Sequence, residues 1–149
     1  MSMHTLKPAP DAAASEDLSA YWRARPSSAG PGRSGDRGRG LFAYADIAAG
    51  ELIDRACTVE IAADQSPALD QMHPIGDFYF EHPADRNAGL MAFGLMSLLN
   101  HSSTPNAHVR FHRHDEAGWL IDLVATKAIA VGEEITYRYK CSLWFEAAS

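Results

Sequence analysis

Cysteine is nearly missing from this 149-residue chain: Cys57 and Cys141 stand alone and far apart. Two such residues build neither a disulfide framework nor a spaced zinc set, so a reducing compartment and a cytoplasmic location are expected, with no metal. No apolar run approaches the roughly 20 residues that cross a bilayer. The opening "MSMHTLKPAPDAAASEDLSA" also lacks the basic start and apolar block of a secretory signal, so no membrane association is expected. A basic excess is missing too. The net charge of −6 argues against direct nucleic-acid binding and suits a basic protein partner. Lysine is scarce: Arg outnumbers it ten to three beside abundant Ala, as expected of a GC-rich bacterial genome. What remains, 46% hydrophobic and 21% charged, is the composition of one globular domain with a real core.

Along the chain, residues 1–17 are Ala, Pro, Ser and acid and read as a mobile tail. "AYWRAR" (20–25) alternates as a first strand before Pro26, and "SSAGPGRSGDRGRG" (27–40) reads as a flexible glycine loop. Strands follow at "GLFAYADI", "ELIDRACTVEI" and "DFYFEH". "AHVRFHRH" and "WLIDLVAT" form a hairpin across "DEAG", and "EEITYRY" is a last strand before the short apolar tail "CSLWFEAAS" (141–149). One helix is expected at about 87–99, where Met91, Leu95, Leu98 and Leu99 share a face and Asp85 or Asn87 could cap it. Gly94 weakens that helix by about 1 kcal/mol.

Two corners echo each other: "DIAAGELI" (46–53) and "AIAVGEEI" (128–135) both read as strand, glycine turn, acid, strand. The heptapeptide "NHSSTPN" (100–106) is dense in directional hydrogen-bonding groups directly after an apolar run. Such a segment suits a path through a protein interior, where every buried polar group needs a partner.

In order along the chain, "GRGLFA" (38–43), "NHSSTPN" and "IAVGEEITYRY" (129–139) resemble the motifs of the SET family of S-adenosylmethionine-dependent protein lysine methyltransferases. The similarity covers about residues 20–140, and the domain is placed at 18–140. The resemblance implies a mainly β fold, the β-clip. Several small sheets, one short helix and a C-terminal pseudoknot make it up, the Asn-His-Ser segment threading beneath a loop of the last motif.

The resemblance assigns roles to individual residues. Tyr139 matches the catalytic tyrosine. Tyr137, sharing its strand face, matches the position that limits room for a methylated nitrogen, favouring mono- or dimethylation. Gly38, Arg39 and Gly40 match the corner whose backbone approaches the methionine portion of S-adenosylmethionine. Asn100 and His101 match the pair contacting its amino-acid end and adenine. Tyr79 is placed in the lysine channel. Trp144 and Phe145, in a tail expected to close the active site, are offered as cofactor contact and channel wall, or as an apolar plug. The implied partner is a protein bearing a lysine, a basic one being suited by charge; an exposed apolar tail is compatible with a homodimer.

The chemistry agrees with that assignment. A lysine amine, with an ordinary pKa of about 10.4, is protonated at neutral pH and must be desolvated near a positive charge before it attacks. Methyl transfer then needs alignment and dryness rather than a covalent intermediate. There are departures. Ser103 stands where the family commonly has cysteine, and "SLL" replaces an Arg-Phe pair before Asn100. The expectation is a minimal domain without zinc-binding flanks. Competing readings are a catalytically silent SET-like module that binds a partner protein, and a methyltransferase for small amines.

Other features read as structural. His108, His112 and His114 share a strand face with Arg110 among them, which disfavours a metal and suggests a solvated face. Adjacent Glu133 and Glu134 point to opposite faces of a strand, one as a turn acid and the other as partner to a buried donor.

Overall fold

The computed structural model describes residues 28–139. The tail at 1–17, the strand expected at 20–25 and the tail at 141–149 lie outside the described residues.

Nine strands among the described residues form two sheets. The first, ordered β1-β2-β9-β6, joins β1 (Ala29–Arg33), β2 (Arg39–Ala43), β9 (Glu134–Tyr137) and β6 (Asn100–His101). The second, ordered β4-β5-β3-β8-β7, joins β4 (Tyr79–Glu81), β5 (Gly89–Ala92), β3 (Leu52–Ile61), β8 (Gly118–Ala125) and β7 (Ala107–His114). A single short α-helix, α1 (Ser66–Asp70), is described, with 3-10 turns at Gly35–Arg37, Ile75–Phe78 and Gly94–Leu98. Leu41, Ile47, Leu90, Ile121, Leu123, Ile129 and Ile135 are at most 2% exposed and fill the space between the sheets. Each such side chain contributes about 2 kcal/mol of burial.

The described part of the expected glycine loop, 28–40, is not an open loop. Strand β1 pairs with β2 from Ala29↔Ala43 to Arg33↔Arg39. Two of the glycines serve close packing: a Cβ at Gly30 would meet the Tyr44 ring at 2.4 Å, and one at Gly32 would meet the Phe42 ring at 2.4 Å.

The helix expected at 87–99 is also absent. Gly89–Ala92 pairs with β3 on one side and β4 on the other, and only Gly94–Leu98 turns, as 3-10. Gly94, at φ +81°, ends the extended run after Phe93. Leu90 and Ala92 enter the core by strand alternation, so ladder pairing overrode the helical spacing of the other apolar residues.

The hairpin β7–β8 forms as expected, in register from Ala107↔Ala125 to His114↔Gly118. Its histidine face is not solvated throughout. Asp122 is fully buried on β8 and takes a forked ion pair from Arg55 on β3, at 2.7 and 2.9 Å. Arg110 adds a bond at 2.9 Å and His112 one at 3.1 Å. His114 is buried, its Nδ1 accepting the N–H groups of Glu116 and Ala117 at the turn. Burial alone would raise the Asp122 carboxyl, but Arg55, Arg110 and His112 outweigh it and hold it near 2.

Candidate active site

The segment Asn100–Asn106 is laced to β9. Asn100 and His101 pair in parallel with Thr136 and Tyr137, and Ser102 N–H donates to Tyr137 O at 3.0 Å. Asn106 grips β9 from the side, its Nδ2 donating to Glu134 O at 2.8 Å and its Oδ1 accepting Thr136 N–H at 2.9 Å. Arg138 donates to Ser103 O. This is the expected pseudoknot, and it explains the hydrogen-bonding density of the heptapeptide.

Glu134 organises one end of the site. Its Oε1 accepts from Asn100 Nδ2 at 2.8 Å; its Oε2 accepts from Ser34 Oγ at 2.8 Å and Arg37 Nη2 at 2.7 Å. Arg37 Nη1 also donates to His101 O at 3.1 Å, and Asn100 Nδ2 donates a second bond to Arg39 O at 3.1 Å. A Cβ at Gly40 would stand 2.5 Å from Glu134 Oε1 and 3.1 Å from Asn100 Nδ2. A side chain there would push that carboxylate aside. Gly38, at φ +80°, turns the chain out of the 3-10 segment.

A cleft of about 940 Å³ runs from this end, past Arg37, Arg39 and Asn100, to Tyr137 and Tyr139, and on to Tyr79. Aromatic rings make its middle. Tyr137 and Tyr139 stand 4.9 Å apart between centroids, Phe80 lies 5.6 Å from Tyr137, and Phe111 lies 6.2 Å from Phe80. Tyr139 Oη donates to Leu99 O at 2.8 Å, and Tyr139 N–H donates to His101 Nδ1 at 3.0 Å. At the far end Tyr79 lies over Gly89 and its hydroxyl donates to Asp70, tying β4 to α1. Asp77 and Glu81 line the cleft there as well.

The structure thus brings together Arg39, Asn100, Tyr79, Tyr137 and Tyr139 on one cleft, with Gly40 beneath and His101 beside it. Trp144 and Phe145 lie outside the described residues. Sequence reasoning missed Arg37, Phe80 and Phe111. For Phe80 the signal was period-two alternation, which turns it inward beside Tyr79; for Arg37 no local signal exists. Glu133 and Glu134 divide as expected: Glu133 Oε2 accepts Ala130 N–H at 3.0 Å in the turn, while Glu134 serves Asn100. Among the described residues no group of three or more His, Cys, Asp or Glu is placed to hold a metal ion. None of the described helices is long and apolar enough to cross a membrane.

The two-sheet fold with its laced segment and tyrosine-lined cleft is that of a SET domain, and the SET domain family model matches residues 38–140. The chain belongs to that family. It is 31% identical over 116 residues to the N-lysine methyltransferases KMT5A-A and KMT5A-B of Xenopus laevis, covering 69% of this chain and 33% of each relative. The chain therefore matches about a third of the length of these curated relatives. Among solved structures, a putative histone methyltransferase of Plasmodium falciparum is 26% identical, with a TM-score of 0.64 over 80% of this chain and 99% of that one. A polycomb repressive complex 2 bound to S-adenosylmethionine shares the fold, with a TM-score of 0.67 at 22% identity over 81% of this chain and 16% of that one.

Proposed function

We propose that this protein transfers a methyl group from S-adenosylmethionine to the side-chain amine of a protein lysine. The observation that carries the reading is the amide of Asn100, locked in one orientation at the end of a cleft whose middle is Tyr137 and Tyr139. Both N–H groups of that amide are spent on Glu134 and Arg39 O, so Asn100 can offer a ligand only its acceptor, Oδ1. That suits the α-ammonium of the cofactor's amino-acid end. Arg37 uses two of its five N–H donors in the described bonds and suits the neighbouring carboxylate.

When bound, S-adenosylmethionine supplies an electrophilic methyl on a sulfonium. The aromatic walls of the cleft would strip water from the lysine amine, so that burial drives it toward its neutral, nucleophilic form. The oxygens of Tyr139 and Leu99, 2.8 Å apart, give the reacting end polar contacts in an otherwise apolar passage. Tyr137, boxed between Phe80 and Tyr139, leaves little room beside the amine, which supports mono- or dimethylation. Asp70, Asp77 and Glu81 at the far end suit a substrate with basic residues around its lysine.

The test is calorimetric titration of ligand-free protein with S-adenosylmethionine, followed by transfer of labelled methyl to a protein pool. Micromolar binding that disappears in Asn100→Ala, with label on lysine, is the expected result. Folded protein that binds nothing up to millimolar cofactor would sink the proposal and leave a partner-binding module as the working reading.

A further inference from the structure

We infer that the His101 imidazole is a positioning residue for Tyr139, in addition to any backbone contact this position makes with a cofactor. The inference rests on the methyl-transfer function proposed above. Parallel pairing between β6 and β9 is two residues long and stops at His101↔Tyr137. Tyr139 lies two residues beyond the described end of that ladder, where the imidazole holds its amide. Nδ1 accepts the Tyr139 N–H at 3.0 Å, and the ring stands edge-on to the Tyr139 ring, 5.3 Å away at 64°. On the other side the Tyr139 hydroxyl donates to Leu99 O at 2.8 Å. Three consecutive residues thus divide the work: Leu99 holds the hydroxyl of Tyr139, Asn100 the cofactor end, and His101 the amide of Tyr139.

An acceptor at Nδ1 requires the neutral ring with its proton on Nε2. His82 and His114 use the same nitrogen in the same way, accepting the amides of Ala84 and Asp85 and of Glu116 and Ala117. Those amides belong to turns. Only at His101 does the captured amide belong to a tyrosine of the cleft, which separates its role from simple turn capping.

The test compares three variants. His101→Phe keeps a ring against Tyr139 but deletes the acceptor; His101→Asn places a carbonyl oxygen near the position of Nδ1. His101→Gln places its oxygen one bond further out. Since a displacement of about 1 Å in a reacting constellation costs about 100-fold, kcat in His101→Phe and His101→Gln is expected to fall by about that factor, with His101→Asn recovering most of it. Cofactor affinity should stay within about threefold throughout, because Asn100, Arg37 and Glu134 are untouched. Hydrogen exchange at the Tyr139 amide should be slow in wild type and His101→Asn and fast in His101→Phe.

A His101→Phe protein that retains wild-type kcat overturns the role, as does a His101→Asn protein that protects the Tyr139 amide yet is as slow as His101→Phe. Should His101→Phe fail to fold, the Asn and Gln variants decide: equal activity overturns the role. A wild type that binds no cofactor overturns the proposed function itself, whereas a wild type that transfers methyl groups no better than His101→Phe overturns only this inference.

Discussion

At 46–53 the chain turns on Gly50 with φ +84°, and at 128–135 on Gly132 with φ +86°. Both corners are closed by the same two bonds. Glu51 Oε2 accepts Ala48 N–H at 2.8 Å and Glu133 Oε2 accepts Ala130 N–H at 3.0 Å, while the acid's own N–H returns to the same alanine's carbonyl. The two corners even face each other, Ile47 bridging to Ile129 with both side chains buried. They differ in what leaves them. After the first comes Leu52, opening β3, whose Arg55 forks onto the buried Asp122. After the second comes Glu134, whose carboxylate holds Asn100, Ser34 and Arg37, and then Tyr137 and Tyr139 in the cleft. One turn chemistry therefore starts two strands, one devoted to holding the sheet and the other to the site.

The strongest way to break this division is at the two strands. Asp122→Ala should cost about 3–5 kcal/mol, because it leaves Arg55 buried without its carboxylate. Denaturant unfolding would show it, while methyl transfer per folded molecule stays unchanged. Acid titration checks the same group. Its folded value near 2 lies below the ordinary 3.8, so its contribution, about 2 kcal/mol, is present above pH 4 and lost as pH falls toward 2. In Asp122→Ala that increment of acid sensitivity should be missing.

On the other strand, Tyr139→Phe should lower the rate of methyl transfer by about 100-fold, the usual scale for deleting one reacting-site hydroxyl. Cofactor binding by calorimetry should hardly move, and loss of the bond to Leu99 O should cost about 1 kcal/mol of stability. Glu134→Ala should act on binding instead. Releasing the Asn100 amide and Arg37 removes charge-assisted bonds worth about 1.5–3 kcal/mol, a loss of affinity of roughly 10- to 100-fold. Leu52→Ala, at the matching position of the other corner, should lower stability and leave the affinity of the folded protein alone; an equal loss of affinity there would erase the distinction.

The smallest effect sharpens the likeness. Glu51→Ala and Glu133→Ala each delete one turn hydrogen bond and should each cost about 1 kcal/mol. Thermal melts of the two variants should coincide. A much larger loss at Glu133 would show that the second corner also strains the site.

Legibility follows the range of the forces involved. The hairpin at 107–125, the corner acids and the order of the three motifs could be read because turn residues and strand alternation act within a few positions. The helix expected at 87–99 failed where β5 found ladder partners on both sides. The glycine loop at 27–40 failed because Gly30 and Gly32 serve ring packing by Tyr44 and Phe42, which composition does not announce. The histidine face was only partly read: His108 and Arg110 are exposed as expected, but the partner of Arg110 and His112, Asp122, sits on the neighbouring strand with a second arginine behind it.

By itself the sequence determined the family, the strand-rich architecture and the two corners, and it singled out Asn100, Tyr137 and Tyr139 as candidates, since each is written in short motifs whose geometry is local. Only the tertiary structure decided what those residues touch. Ser34 reaches Glu134 across 100 positions and Arg55 reaches Asp122 across 67. Hydrogen bonds and ion pairs act over about 3 Å in space, and only packing the two sheets together brings such distant positions within that range.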